Sequence, residues 1–494
     1  MKHSLFGLVA GPVLFFILLA LSFFDNSNPA ATRVAAVTIL MAVWWITEAI
    51  PIAATSLLPI VLFPLLGVMD GSKVTLAYGN HLVFLFMGGF FIAVTVEKWN
   101  LHKRLALHTI NLIGVTPAKI ILGFMIATAF LSMWISNLAA TMMMVTIAMA
   151  VLKQTISQLE SRQAANYSES GAFNFGVALM LGIAYSASIG GISTLVGTAP
   201  NALFAGLIEE SYHISISMVD WSMVTLPLAV TMLFITWVYL VRVAFPLELD
   251  EIPGGQKLIS EQLRALGPIN RNEIKICLVL VLVAALWIIN GILKLAILEN
   301  IKDSTIAIFG ALLLFMIPAD LKQRKFLLDW KTAAGIPWDI LILFGGGFAL
   351  ASGFAESGLT HLIAGKLSLL QEYPLIIILA TVTTLVIFLT EVTSNTATAS
   401  IILPILLVLA DVMQIHPAGL MMSAVIAASF AFMLPVATPP NAIVFGTRYV
   451  SMKQMVHAGF RLNIIGIILI TIFIYYLMPI IWHIDIHRFP AGLH

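Results

Sequence analysis

Long apolar runs separated by short polar stretches dominate this chain. Runs near residues 5–24, 34–50, 52–69, 81–96, 222–241, 273–292, 305–319, 338–355 and 462–482 are long enough, or nearly so, to cross a bilayer as helices. Four further regions are apolar but interrupted at their middles. Regions 117–152 and 374–413 carry clusters of Ser, Thr and Asn, and regions 174–210 and 416–447 carry Gly, Pro, Thr and Asn. Irregular backbone at bilayer depth survives only where protein buries it or where it lines a cavity, because hydrocarbon offers it no hydrogen bonds. The first pair is therefore expected to form re-entrant hairpins and the second pair broken transmembrane helices. The pattern predicts an all-α polytopic membrane protein with eleven crossings, two of them broken, plus two hairpins.

Composition sharpens this picture. Of 494 residues, 60% are hydrophobic and 10% charged, against about 25% charged in soluble domains. A net charge of +1 gives no field for nucleic acid. The single cysteine, Cys277, allows neither an intramolecular disulfide nor a thiolate-rich metal site. No small-x-small cleavage site follows the first run, which is expected to stay as a span. With the N-terminus placed in the cytoplasm, only Arg33, Lys73, Lys294, Lys302, Lys366 and Arg488 fall outside, leaving 19 of the 25 Lys and Arg residues inside. This orientation puts the C-terminus outside, with the plasma membrane as the expected location. The polar stretch 246–271, with Pro246, Pro253, Gly254 and Gly255, reads as a cytoplasmic linker.

The two halves of the chain match. Phe86-Met87-Gly88-Gly89-Phe90 aligns with Phe344-Gly345-Gly346-Gly347-Phe348, and Ser136-Asn137-Leu138-Ala139 aligns with Ser394-Asn395-Thr396-Ala397 at the same offset. Gly197-Thr198-Ala199-Pro200-Asn201-Ala202 aligns with Ala437-Thr438-Pro439-Pro440-Asn441-Ala442. In the expected topology one hairpin enters from each side, so the repeats are inverted. Inverted repeats with interrupted helices in corresponding places point to the substrate site of a secondary transporter.

The residues at the interruptions suggest what is carried. Ser, Thr and Asn are good helix N-caps, and helix N-termini facing the membrane centre offer free N–H groups and positive dipole ends to an anion. Neither tip nor either break contains Lys or Arg. A bare dianion at that depth would be prohibitively costly, so bound cations are needed to offset it. Hydroxyls, amide oxygens and freed carbonyls are hard ligands that suit an alkali cation. Glu391, in the second tip opposite Met133 of the first, either titrates or binds a cation, or serves as a hydrogen-bonded structural carboxyl. Glu48 reads as interfacial. His483 and His487 have i, i+4 spacing but no third ligand nearby. The sequence has no G-x-S-x-G, H-E-x-x-H or P-loop motif, and an enzyme is not expected.

These paired motifs resemble the divalent-anion/sodium symporter family of dicarboxylate, citrate and sulfate carriers, marked by Ser-Asn-Thr at two hairpin tips. The segments Trp45–Pro51, Val96–Arg104 and Ser132–Asn137 also look like family sequence, so the resemblance spans nearly the whole chain. It implies a homodimer in which a transport domain slides like an elevator along a scaffold. The scaffold would comprise 1–116 and 272–373, and the transport domain 117–245 and 374–494. The resemblance also implies one sodium site at Ser132, Ser136, Asn137 and the Gly197 carbonyl, and another at Thr390, Thr393, Asn395 and the Ala437 carbonyl. Substrate carboxylates would meet Asn137, Thr198, Asn395, Thr396, Thr438 and Pro439. The implied function is sodium-coupled symport of a di- or tricarboxylate such as succinate, malate, fumarate or citrate, with sodium as the coupling ion, lipid as the surroundings and no organic cofactor. Sodium-independent carboxylate exchange and sodium–sulfate symport stay open as alternatives. Two residues depart from the family pattern. Leu138 stands where a Thr is usual, removing a hydroxyl from the substrate's reach, and Ala199 replaces a common Pro.

Overall fold

The computed structural model describes residues 2–21, 28–114, 116–160, 173–247, 255–293, 301–359 and 372–490. The first repeat opens with α1 (Lys2–Leu21) packed on α2 (Pro29–Thr47), where Trp44 Nε1 donates to the Gly7 carbonyl at 3.1 Å. α2 ends at Glu48, which is exposed and left-handed (φ 47°), in keeping with an interfacial position. The expected span 52–69 is not continuous. It divides into α3 (Ile52–Thr55) and α4 (Leu58–Leu65). Pro51, Pro59 and Pro64 lack amide donors, and prolines favour helix starts over helix interiors. α5 (Gly71–Tyr78) and α6 (His81–Lys98) follow, each capped by the side chain of the residue before it, Asp70 and Asn80. α7 (Leu101–Ile113) leads into the interrupted elements.

Both hairpin regions are helix–turn–helix pairs. α8 (Pro117–Ser132) is separated from α9 (Asn137–Glu160) by a turn at 133–136. Both broken regions are helices parted by non-helical backbone, here α10 (Asn174–Gly191) and α11 (Ala199–Tyr212). α12 (Met218–Val238) closes the repeat and ends in a π-helical turn at Tyr239–Ala244. The linker region is not wholly irregular, since it contains α13 (Gly255–Ala265) packed against α7.

The second repeat repeats this order. α14 (Arg271–Leu293) and α15 (Asp303–Met316) lead to a small antiparallel hairpin of β1 (Pro318–Asp320) and β2 (Lys325–Phe326). Then come α16 (Trp330–Ala333) and α17 (Trp338–Ser357). α18 (Leu375–Thr390) and α19 (Asn395–Met413) form the second helix pair, and α20 (Pro417–Ala428) and α21 (Pro439–Gly446) the second broken helix. α22 (Met452–Ile472) is followed by a π-turn at Phe473–Leu477 and by α23 (Met478–Trp482). The repeat reaches beyond the aligned motifs. α12 and α22 both start with a capping box, Ser217–Asp220 and Ser451–Gln454, both run 21 residues and both end in a π-turn.

The glycine motifs set the packing between repeats. Phe86 and Phe344, equivalent residues in the two repeats, meet edge to face with centroids 4.9 Å apart. A Cβ on Gly88 would lie 2.6 Å from the Ala307 backbone, and one on Gly346 would lie 2.6 Å from the Ser56 carbonyl, so only glycine permits either approach. Among the described residues nine helices are long and apolar enough to cross a membrane, and shorter apolar helices accompany them.

Candidate functional site

The interrupted elements of the two repeats pack crosswise. α9 contacts α21, and α11 contacts α19. The four helices that begin at the turns and breaks thus pair between repeats, one hairpin arm with one half-helix each time.

Each turn is cinched by the same bond. Ser132 Oγ donates to Asn137 Oδ1 in the first, and Thr390 Oγ1 donates to Asn395 Oδ1 at 2.7 Å in the second. Each break is held by a buried asparagine beyond it. Asn201 Nδ2 donates to the carbonyls of Gly191 (3.2 Å) and Thr194 (2.7 Å), and Asn441 Nδ2 donates to those of Ala431 (3.0 Å) and Leu434 (3.0 Å). These acceptors are equivalent in register. An amide can donate twice without needing a charge, so it ties off carbonyls that unwinding leaves unpaired. Both asparagines are fully buried. They lie inside the matched hexapeptides and pin the breaks through Nδ2, while each Oδ1 is buried without a hydrogen-bond partner among the described residues.

The oxygen atoms crowd at the predicted cation positions. A Cβ on Gly191 would sit 2.7 Å from Asn137 Oδ1 and 3.3 Å from the Gly197 carbonyl oxygen, so these two acceptors face one small volume. Around Thr390, one hydroxyl proton is offered to two acceptors, Asn395 Oδ1 and the Ala428 carbonyl at 2.9 Å. More hard acceptors than protons is a donor set that suits an alkali cation. Other predicted ligands are engaged elsewhere. Thr393 Oγ1 donates back to the Leu389 carbonyl (2.8 Å), so the 2.6 Å contact with Thr398 Oγ1 is donated by Thr398. Ser136 Oγ accepts from Ala139 N at 3.2 Å and caps α9. Ala437 is buried, with its N–H on the Leu434 carbonyl.

The predicted substrate residues cap the half-helices. Thr198 and Thr438 are the N-cap residues of α11 and α21. Thr438 Oγ1 accepts from Asn441 N at 3.3 Å, whereas the Thr198 side chain makes no capping bond. Pro439 and Leu138 are exposed, while Asn137, Asn395 and Thr396 are half-buried.

Glu391 is resolved by its partners. Its carboxylate accepts from three consecutive backbone amides of the second break, Phe432 (2.8 Å), Met433 (2.9 Å) and Leu434 (3.0 Å), and from Asn463 Nδ2 of α22 (2.7 Å). The structural reading of this residue is the one the geometry supports. Backbone N–H groups supply what a counter-cation otherwise would. The first repeat ties turn to break by a different device, with Thr194 Oγ1 donating to the Met133 carbonyl at 2.6 Å. The loop 192–197 is further held by Trp221 Nε1 on the Ile192 carbonyl (2.8 Å), while Thr225 Oγ1 shares one proton between the Trp221 carbonyl (3.0 Å) and the Ser193 carbonyl (3.3 Å). Sequence reasoning missed Thr194, Trp221, Thr225 and Asn463. Only their distant partners mark them.

Residues 2–483 match the family model of the sodium:sulfate symporter transmembrane region. The sodium-dependent dicarboxylate transporter SdcS of Staphylococcus saprophyticus is 44% identical over 486 residues, 98% of this chain and 93% of the relative. SdcS of Staphylococcus aureus (strain USA300) is 46% identical over 490 residues, again 98% and 93%. Among solved structures, the YdaH transporter of Alcanivorax borkumensis aligns with a TM-score of 0.57 at 14% identity, covering 90% of this chain and 99% of that one. MtrF of Neisseria gonorrhoeae aligns at 0.55 and 12%, covering 93% and 98%. At such identities the likeness to these two is one of fold.

Proposed function

This chain belongs to the sodium:sulfate symporter transmembrane family, and on that premise we propose that it is a sodium-coupled symporter of a small di- or tricarboxylate. The family is one of symporters and the relatives are named as transporters, so the protein is not an enzyme. The observation that carries the reading is the duplicated turn, in which Ser132–Asn137 and Thr390–Asn395 set oxygen-rich clusters beside the starts of four helices. In this reading sodium binds among Ser132, Asn137 and the Gly197 carbonyl, and among Thr390, Asn395 and the Ala428 carbonyl. Ser136, Thr393 and the Ala437 carbonyl join on reorientation. The cations offset the substrate's charge where no Lys or Arg is available. Carboxylate oxygens then take hydroxyl, amide and helix N-terminal donors from Asn137, Thr198, Asn395, Thr396, Thr438 and Pro439.

The names of the SdcS relatives favour a dicarboxylate, and the family description keeps sulfate as the second reading. Uptake of labelled succinate into proteoliposomes, with an inward sodium gradient or with choline, tests the reading. Sodium-driven uptake abolished by Asn395→Ala supports it. Equal uptake in both buffers overturns the coupling in favour of exchange, and sodium-driven sulfate uptake without succinate uptake overturns the substrate.

We also propose that the turns are re-entrant hairpins and that residues 117–245 and 374–494 move as one body along a scaffold of 1–116 and 272–373 in a homodimer. Crosswise packing of the interrupted elements supports a single moving body. Contacts that cross to the scaffold would break as it moves. Trp134 stacks on Trp287 at 6.3 Å, and Glu209 binds His81 (2.7 Å) and Lys302 (2.5 Å). With Cys277 replaced by Ser, a bifunctional thiol reagent joining Trp134→Cys to Trp287→Cys is expected to arrest transport reversibly. Full transport by the cross-linked protein would exclude the sliding motion.

A further inference from the structure

Where the end of α12 meets the start of α22, the two helices enclose a cavity of about 210 Å³ whose lining includes no turn or break residue. Lys453, His457 and Arg461 form one rim. Their i, i+4 spacing stacks them on a single face of α22, with the fixed charges of Lys453 and Arg461 at its two ends and the His457 ring between them. All three are exposed, and among the described residues no carboxylate pairs with Lys453 or Arg461. His457 Nδ1 lies 2.8 Å from the Lys453 carbonyl, which can only accept, so the ring donates there and Nε2 remains available. Arg461 lies against the Tyr239 hydroxyl.

The opposite wall is apolar. It is formed by the π-turn that ends α12, with Tyr239 and Phe245 buried and Val243 59% exposed. A π-turn widens a helix locally, and such turns occur often at functional sites. Both helices continue as long apolar spans away from the cavity. The cavity therefore sits at one end of two adjacent spans, at the boundary between hydrocarbon and headgroups. Free phosphate would use the cations and leave the apolar wall idle, whereas a phospholipid would use both. Its phosphate would bridge the lysine and the guanidinium fork, and its acyl chain would run along Val243.

We infer that this cavity binds the headgroup phosphate of an anionic phospholipid, and that the bound lipid ties together the closing helices of the two repeats. The inference depends on the chain spanning a membrane and not on which anion it carries. Native mass spectrometry and thermal unfolding of the delipidated full chain test it, with phosphatidylglycerol, phosphatidylcholine or inorganic phosphate added. Phosphatidylglycerol is expected to be retained and to raise the unfolding temperature, with the other two doing neither. Each cation removed should weaken phosphatidylglycerol binding about fivefold, so Lys453→Gln/Arg461→Gln should weaken it about 25-fold. Lys322→Gln/Lys325→Gln, on the distant β-hairpin, should change nothing. Arg461→Lys keeps the charge without the fork, should fold as the parent does and should bind between the two. Equal retention of phosphatidylcholine, undiminished binding by the double variant, or displacement by millimolar inorganic phosphate would each overturn the site.

Discussion

The two repeats solve one problem by different means. Each must hold a helix-breaking stretch among apolar helices and join it to a turn. The first repeat uses neutral groups, with Thr194 on the Met133 carbonyl and Trp221 and Thr225 on the loop. Residues 192–197 are buried throughout. The second repeat uses a charge, with Glu391 gathering three amides and Asn463. Its longer break opens at Val436, which is 79% exposed. The asparagine pins, Asn201 and Asn441, and the hydroxyl-to-asparagine bond of each turn are shared. Duplication preserved the parts that unwinding demands and let the connections diverge. The first turn and break are set in a closed, neutral frame, and the second pair hangs on one carboxylate.

The largest test of this contrast removes that carboxylate. Glu391→Ala leaves four donors without their acceptor and is expected to cost about 3–5 kcal/mol in thermal unfolding, as for a broken buried charged network. Met133→Ala, at the equivalent place, is expected to cost about 1 kcal/mol, in line with an ordinary substitution. Equal losses would erase the distinction between the frames. Next come the pins. Asn201→Ala and Asn441→Ala each abandon two buried carbonyls and should each cost about 2–3 kcal/mol. Equal values would sharpen the claim of shared design, whereas a neutral result at either would remove that pin from it.

The difference at the proposed substrate positions should be smaller. Leu138→Thr adds a hydroxyl at the first turn that Thr396 already provides at the second, and competition uptake should show dicarboxylate affinity tightening about tenfold. Thr396→Leu should weaken it by a similar factor. Unchanged affinity in both would mean that neither position touches the anion. The smallest effect lies away from both repeats' sites. Lys98, 2.5 Å from Asp329, holds that carboxyl down to about 2, helped by the Thr332 amide. A lowered value means this contact stabilises above the ordinary carboxylate range near 3.8 and loses its effect as pH falls toward 2. The pair is solvent-exposed, so Asp329→Asn should flatten the acid limb of the unfolding profile by less than ~1 kcal/mol. A larger change would mean that this clasp, rather than the repeats, limits stability at low pH.

Much of this was legible along the chain. Ser132, Asn137, Thr390 and Asn395 stand out because polar residues in an apolar run must have partners. The helix breaks fall at the predicted Gly, Pro, Thr and Asn clusters. Local continuity and side-chain direction were not legible. Residues 52–69 are apolar enough to span, yet they divide into two short helices, with Pro51 at the start of the first and Pro59 at the start of the second. Thr393 is placed correctly in the second turn, yet it turns to Leu389 and Thr398 rather than toward Asn395. The π-turns and capping boxes that extend the repeat into α12 and α22 carry little sequence identity and escaped the alignment.

The sequence by itself determined that the chain is an apolar, helical, duplicated protein with four polar interruptions, because hydrocarbon permits no unpaired backbone and so writes its constraint into composition. Tertiary structure decided what each polar group does there. A hydrogen bond depends on atoms brought within about 3 Å, and Glu391 reaches Asn463 across 72 positions of chain. Hydrophobic patterning reports which face of an element is buried, but not which of several buried acceptors a given donor will meet.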